Sequence, residues 1–267
     1  MAQHYATYPS LRGQTVLITG GAEGIGAACV ELFWQQGSTV VFLDISSPSA
    51  EKLLTKLRAA PESDGHGPLP TFMHCDVTDL DRLQACAEAV VAAHGAVDIL
   101  LNNAASAGAR TRVGTAQVTP ASWDLDVGVN LRHQFFLTQA VVPGMRAKGK
   151  GSIVNMGSIT WRIPATGLPV YTLCKAAVMG MTRTHAREFG AWGVRVNSVM
   201  PGAIATQRQI DEVLTPEYRA EVMAAQTIQR DLQPGEVARL ILFLAADDSS
   251  AITGSSYVVD GGWVGDP

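Results

Sequence analysis

The chain has 267 residues, of which 47% are hydrophobic and 16% charged, enough apolar material for a large core and too much for a disordered chain. Twenty basic against 24 acidic residues leave a formal charge of −4, which gives no electrostatic footprint for nucleic acid or an anionic membrane, and neither partner is expected. The polar start MAQHYATYPSLRG lacks the apolar stretch of a secretory leader, the longest apolar runs are too short to span a bilayer, and Cys29, Cys75, Cys86 and Cys174 form no CxxC pair, so buried thiols in a reducing cytoplasm are expected.

In chain order, 15–19 reads as a strand and 23–35 as a helix, joined by Thr19-Gly20-Gly21-Ala22-Glu23-Gly24-Ile25-Gly26. A pyrophosphate can sit on the free N–H groups of a helix N-terminus only where no Cβ intrudes, and the spaced Gly20, Gly24 and Gly26 meet that need. The alternative is a purely structural glycine turn, since Gly-x3-Gly-x-Gly departs from the common Gly-x-Gly-x-x-Gly. The next strand, 39–44, ends on Asp44 and Ile45, where an acid can accept hydrogen bonds from the adenine-ribose hydroxyls. That carboxylate, with Glu23 nearby and no Arg or Lys following, repels a 2′-phosphate, so NAD is the expected cofactor and NADP the second choice.

A helix over 48–59 and a Pro/Gly-rich surface loop over 61–70 lead to a strand at 71–75, closed by Asp76 and Val77. His74 and Cys75 are neighbours, but adjacent strand residues point to opposite faces, so no metal site is expected. After a helix over 79–94, the strand 97–102 runs into Asn103-Ala104-Ala105. Both strand ends are placed to reach the adenine side of the cofactor. A helix over 121–147 carries Asn130, a poor helix former, either as a water-holding polar group or as a satisfied interior amide. Strand 151–156 precedes Ser158, helix 168–190 carries Tyr171 and Lys175, and strand 195–199, helix 235–246 and strand 257–259 complete the pattern. The short, nearly continuous apolar strands suit burial on both faces. Their alternation with helices implies right-handed crossovers and an α/β, doubly wound parallel sheet in a single domain over 1–267, with a short N-terminal extension at 1–10. Segments 106–120 and 203–233 fit the alternation poorly; both follow the carboxyl end of a strand, where such sheets bind ligands, and they are the candidate substrate loops, the second as a lid.

Tyr171 and Lys175, at i and i+4, share one helix face. An ammonium beside a phenol favours the phenolate, and a positive nicotinamide adds to this, pulling the phenol from about 10 toward the working pH, where a general base works best. Ser158 offers a hydroxyl to hold the substrate oxygen. Together TGGAEGIG, Asp44, Asp76, NNAA, Asn130, Ser158, Tyr171-x-x-x-Lys175, Pro201-Gly202 and Asp260-Gly261-Gly262 resemble the short-chain dehydrogenase/reductase family from about residue 11 to the end. The resemblance implies a Rossmann-type sheet of about seven strands with helices on both faces, an NAD(P)-dependent oxidoreductase, and a homotetramer. It implies that Tyr171 is the acid/base, that Ser158 positions the substrate, and that Lys175 lowers the tyrosine and holds the nicotinamide ribose. Asn130 would support a water in a proton relay, and Pro201, Gly202, Ile204 and Thr206 would flank the nicotinamide. Ala105 stands where the family carries glycine, a small departure.

The stretches Tyr8-Pro-Ser-Leu-Arg-Gly, Phe42-Leu-Asp-Ile, Val129-Asn-Leu-Arg-His, Gly157-Ser-Ile-Thr-Trp and Thr206-Gln-Arg-Gln resemble bacterial aldose 1-dehydrogenases of the D-xylose or L-arabinose type. This implies oxidation of the anomeric hydroxyl of a pentose, or of D-galactose, to the aldonolactone. A sugar needs many polar partners, and Ser158, Tyr171, Asn155, Trp161, Arg162, Gln207 and Arg208 are the candidates, Trp161 by stacking on a pyranose ring. Two alternatives stand beside this one. The first is a dehydrogenase or reductase of 3-oxoacyl or other secondary-alcohol substrates, although the basic patch that an acyl carrier would favour is missing. The second is an NAD-binding sensor or scaffold without turnover; such proteins tend to lose the tyrosine or lysine, and this chain keeps both.

Overall fold

Apolar residues follow one another without polar interruption in most of the strands, and the computed structural model shows where the two faces go. It describes residues 5–61, 65–107, 112–163 and 165–265. The strands are β1 (Thr15–Thr19), β2 (Thr39–Asp44), β3 (Thr71–His74), β4 (Ile99–Asn102), β5 (Gly151–Met156), β6 (Val194–Pro201) and β7 (Ser256–Val259). They form one parallel sheet in the order β3-β2-β1-β4-β5-β6-β7. The helices are α1 (Gly24–Gln35), α2 (Ser47–Arg58), α3 (Leu80–His94), α4 (Pro120–Val127), α5 (His133–Lys148), α6 (Pro169–Phe189), α7 (Gln207–Glu212), α8 (Pro216–Ala225) and α9 (Pro234–Ala245).

Alternate strand residues feed two cores. Val16, Ile18, Val40, Phe42, Leu101 and Val154 pack with α1, α2 and α9 on one face, while Leu17, Val41, Leu43, Leu100 and Ile153 pack with α3, α5 and the end of α6 on the other. Each such fully buried side chain is worth roughly 1.5–3 kcal/mol. The four cysteines are buried and unbridged, Cys29, Cys75 and Cys86 within these cores. No helix among the described residues is long and apolar enough to cross a membrane.

The differences from the expected boundaries have local causes. The strand predicted from Val97 begins at Ile99, because the Asp98 side chain turns to accept the Thr15 N–H at 2.9 Å. The N-terminal extension is not free of the core from Tyr8 on. Residues Pro9–Leu11 form a 3₁₀ turn, Leu11 is buried, and the Leu11 carbonyl accepts the Ser38 hydroxyl at 2.8 Å. In the surface loop 61–70, Gly67 is likewise held down: it donates its N–H to the Trp34 carbonyl and accepts the Trp34 indole N–H at 2.9 Å. The helix expected over 121–147 is two helices joined by a π-helical turn, Gly128–Arg132, centred on Asn130. Segment 203–233 is built around α7 and α8, with its own small core of Ala205, Leu214 and Val222. Its two ends are pinned together by a bridge from Ile204 to Leu232. Of segment 106–120, residues 108–111 lie outside the described residues, and Thr115–Gln117 form a 3₁₀ turn.

Candidate active site

The carboxyl edge of the sheet collects the ends of β1, β2, β4, β5 and β6, and every predicted site residue except Asn155 lies on or beyond it. At the end of β1, Gly20 has φ +65°, and a Cβ there would stand 2.8 Å from the Ala104 Cα. Gly24 has φ +55°. Gly26 is needed for a different reason, since its Cβ would fall 1.9 Å from the Gly20 oxygen. The loop is braced from two sides. Asn103 Nδ2 donates to the carbonyls of Thr19 (2.9 Å) and Gly20 (2.8 Å), and Asp44 accepts the N–H of Ala22 and that of Ser46, both at 2.9 Å. Glu23 caps α1 without a side-chain hydrogen bond to it and is bonded instead by the Ser49 hydroxyl. The first-turn N–H groups of α1 therefore meet no capping side chain, in a cradle that a Cβ would fill. That is the arrangement a dinucleotide pyrophosphate requires.

Further along the edge, Asp76 uses one oxygen on the Thr78 N–H (2.9 Å) and hydroxyl (2.8 Å). Val77 and Ala104 are buried and Ala105 half-buried, whereas Ile45 is 64% exposed. Ile25 packs against the core below. Pro201 ends β6, and Gly202 lies so close to Asp260 that a Cβ would come within 2.7 Å. Ile204 is buried. Thr206 caps α7 by accepting the Gln209 N–H, and its methyl lies 3.0 Å from the Cβ position of Gly24. The start of 203–233 thus touches the glycine loop.

The chemistry gathers above β5. Ser158 is buried, its hydroxyl accepts the Thr160 N–H at 3.2 Å, and it stands near enough to Tyr171 to favour the phenolate. Lys175, almost wholly buried, donates to the Met156 carbonyl at 2.8 Å and lies 5.4 Å from the centroid of the Tyr171 ring. Burial holds the lysine down to about 8. The expected pull of Lys175 and a positive nicotinamide on the phenol works against burial here. Burial raises the Tyr171 phenol above its ordinary value, and the groups that oppose this are the Ser158 hydroxyl and the guanidinium charges of Arg208 and Arg112. Lys175 has the same desolvation to bear.

One further assignment changes. Asn155 is not a substrate contact: it is fully buried, accepts from Asn102 Nδ2 at 2.8 Å and donates to the Thr182 hydroxyl at 3.0 Å, inside the sheet between β4 and α6. The Asn130 side chain accepts the Ser106 N–H (3.0 Å) and donates to the Ser106 carbonyl (3.1 Å), which ties the π-turn to the segment after β4. Its main-chain carbonyl accepts Gln134 Nε2 at 3.1 Å. Trp161 is 41% exposed and ends the 3₁₀ turn that follows Ser158, with Arg162 next to it. Gln207 bonds Asp211 one turn along α7, and Arg208 reaches the Ala105 carbonyl at 3.5 Å. Arg112, which acts on both Tyr171 and Tyr218, was missed from the sequence, although the segment 106–120 that carries it stood out. Thr19 opens the glycine motif, but the sequence assigns no separate role to its side chain.

A family model described as enoyl-(acyl carrier protein) reductase matches residues 20–264. The chain is 43% identical over 258 residues to D-xylose 1-dehydrogenase of Caulobacter vibrioides, covering 97% of this chain and 98% of that one. It is 40% identical over 255 residues to the "Probable galactose dehydrogenase GalD" of Rhizobium meliloti, covering 96% of each. A short-chain type dehydrogenase/reductase from Mycobacterium ulcerans has the same fold, with a TM-score of 0.88 at 25% identity over 97% of this chain and 91% of that one. With the glycine cradle and the Ser158, Tyr171 and Lys175 cluster set at one edge of a seven-stranded parallel sheet, these likenesses show that the chain belongs to the short-chain dehydrogenase/reductase family of nicotinamide-dependent oxidoreductases.

Proposed function

We propose that the protein oxidises the anomeric hydroxyl of an aldose, a pentose such as D-xylose or L-arabinose or else D-galactose, to the aldonolactone, with NAD preferred over NADP. The observation that carries the reading is the convergence of Ser158, Tyr171 and Lys175 beside the glycine cradle, in a chain 43% identical to a D-xylose 1-dehydrogenase. The cradle of Gly20, Gly24 and Gly26 would hold a nicotinamide dinucleotide, which would supply the hydride acceptor for the anomeric carbon. Ser158 holds the anomeric oxygen, and the Tyr171 phenolate accepts its proton as the C–O bond becomes the lactone carbonyl. Lys175 sits under the tyrosine as a buried cation and holds the nicotinamide ribose. Arg208 and Arg112 favour the phenolate from the open side of the pocket. Asp44 at the end of β2, held by the Ala22 and Ser46 N–H groups, supports the NAD preference. Trp161, Arg162, Gln207 and Arg208 line the sugar's side of the pocket. The working form is a cytoplasmic homotetramer of one-domain subunits, supported by the exposed Trp123, Leu125, Phe135, Phe136 and Leu173 on α4, α5 and α6.

The test is NADH formation, followed by absorbance, with a panel of aldoses and wild type beside Tyr171→Phe. Turnover on a pentose or galactose, with a loss of roughly 10²–10⁴ in kcat for the variant, is expected from removal of a general base. Turnover only on secondary alcohols or 3-oxoacyl thioesters moves the substrate class, and undiminished activity of Tyr171→Phe removes the tyrosine from the chemistry.

A further inference from the structure

A buried imidazole lies between the cofactor cradle and the turn that carries Asn130, and the chemistry above makes no use of it. His133 opens α5. It is wholly buried, and its Nε2 lies 3.4 Å from the Thr19 Oγ1, itself wholly buried. That hydroxyl already accepts two backbone N–H groups, from Asn103 at 2.9 Å and from Ala104 at 3.0 Å. A hydroxyl has two acceptor lone pairs and one proton. With both lone pairs engaged, the Thr19 proton must be donated, and among the described residues His133 Nε2 is the acceptor within reach. Nε2 therefore carries no proton, and the neutral ring keeps its proton on Nδ1. The carbonyls of Val129 and Gly128 in the π-turn lie close enough to favour a ring N–H, and Nδ1 itself has no full hydrogen bond among the described residues. Burial and the neighbouring Lys175 charge push the imidazole down to about 3, so it stays neutral through the working range.

We propose that His133 is a positioning residue for the cofactor: fixed as the Nδ1-protonated tautomer, it takes the Thr19 proton and so locks the junction of β1 and β4 on which the glycine cradle rests. The link to the cradle is direct. Thr19 holds the Asn103 and Ala104 amides, and Asn103 in turn holds the carbonyls of Thr19 and Gly20. Without an acceptor at position 133, the Thr19 hydroxyl turns its proton toward those amides and gives one of them up. Asn103 and Gly20 then lose their fixed place. The inference rests on the dinucleotide reading of the cradle, which binding of NADH by wild type checks separately.

The first measurement is nitrogen-15 NMR of histidine-labelled protein without cofactor, with the His133 signals identified by their loss in His133→Gln. A protonated Nδ1 and an unprotonated Nε2, unchanged from about pH 6 to about pH 9, are expected; an Nε2-protonated ring, or titration in that range, overturns the proposal. The second is NADH affinity by fluorescence titration for His133→Phe, His133→Gln, Thr19→Val and the Thr19→Val/His133→Phe double variant. His133→Phe should weaken binding about tenfold, equivalent to about 1.4 kcal/mol. His133→Gln keeps an acceptor and should recover most of the loss. The double variant should bind no worse than Thr19→Val alone, since the two residues act through one hydrogen bond. Additive losses, or no recovery with glutamine, refute the role. If wild type fails to bind NADH, the dinucleotide reading falls, and the tautomer still decides the hydrogen bond.

Discussion

Replacing Gly26 with alanine tests the cradle at its tightest point. An ideal Cβ at that position would stand 1.9 Å from the Gly20 oxygen, 2.7 Å from Asn103 Nδ2 and 2.8 Å from the Gly20 carbonyl carbon. Carbon packs against such atoms at roughly 3.5 Å, so the first turn of α1 and Gly20 must part by about 1.6 Å. Gly20 is poorly placed to give way: its N–H donates to the Leu43 carbonyl at 2.7 Å, its oxygen accepts from Asn103, and the Ala104 backbone stands on its open side. Overpacking costs about 1–3 kcal/mol, and rigid backbone on both sides puts Gly26 at the upper end. Alanine returns about 1 kcal/mol of helix propensity over glycine, leaving a net destabilisation of about 2 kcal/mol. For a chain of this size that is a fall in Tm of about 4–8 °C. Cofactor affinity should fall at least tenfold, because the displaced atoms form the floor under the pyrophosphate. The assays are a thermal melt and an NADH titration on the same samples. A Gly26→Ala protein with wild-type Tm and wild-type NADH affinity would show that the close approach is not needed, and would refute the argument for the cradle.

The remaining predictions concern charge. A positive guanidinium favours the phenolate of Tyr171, so Arg208→Ala and Arg112→Ala should each raise the phenol further. The fraction of base at a given pH then falls, and the rising alkaline limb of kcat/KM for oxidation moves to higher pH; an unchanged or acid-shifted limb contradicts the assigned proximity. Asp44→Ala removes both the repulsion toward a 2′-phosphate and the acceptor for the Ala22 and Ser46 amides. NAD affinity should fall about tenfold, by the cost of hydrogen bonds to a charged group, while the ratio of kcat/KM for NADP over NAD rises. A constant ratio would place the discrimination elsewhere.

Chain order and local pattern were sufficient for much of this molecule. Because the sheet is covered on both faces, its strands are continuous apolar runs, and alternation with helices of matching length dictates crossovers and a parallel order. The glycine loop and the Tyr171 and Lys175 pair were legible for the same reason: each is a spacing within one turn or one loop, and local geometry carries its meaning. What local pattern could not supply is the partner of a polar side chain. Asn155 lies one residue before the end of its strand, near where a site residue would stand, yet the register that pairs it with Asn102, and Thr182 arriving from α6, turn it into interior structure. Asn130 interrupts a helix because Ser106, 24 residues away, takes both ends of its amide. The Arg112 charge acts on Tyr171 only once the chain is folded, and Thr19 and His133 meet across 114 residues of chain. Sequence thus determined the sheet, its covering helices and the residue types at the reacting edge. The tertiary structure alone decided which polar groups face the substrate and which are consumed in holding the edge together, since a hydrogen bond needs both partners in place and most of those partners lie far apart in the chain.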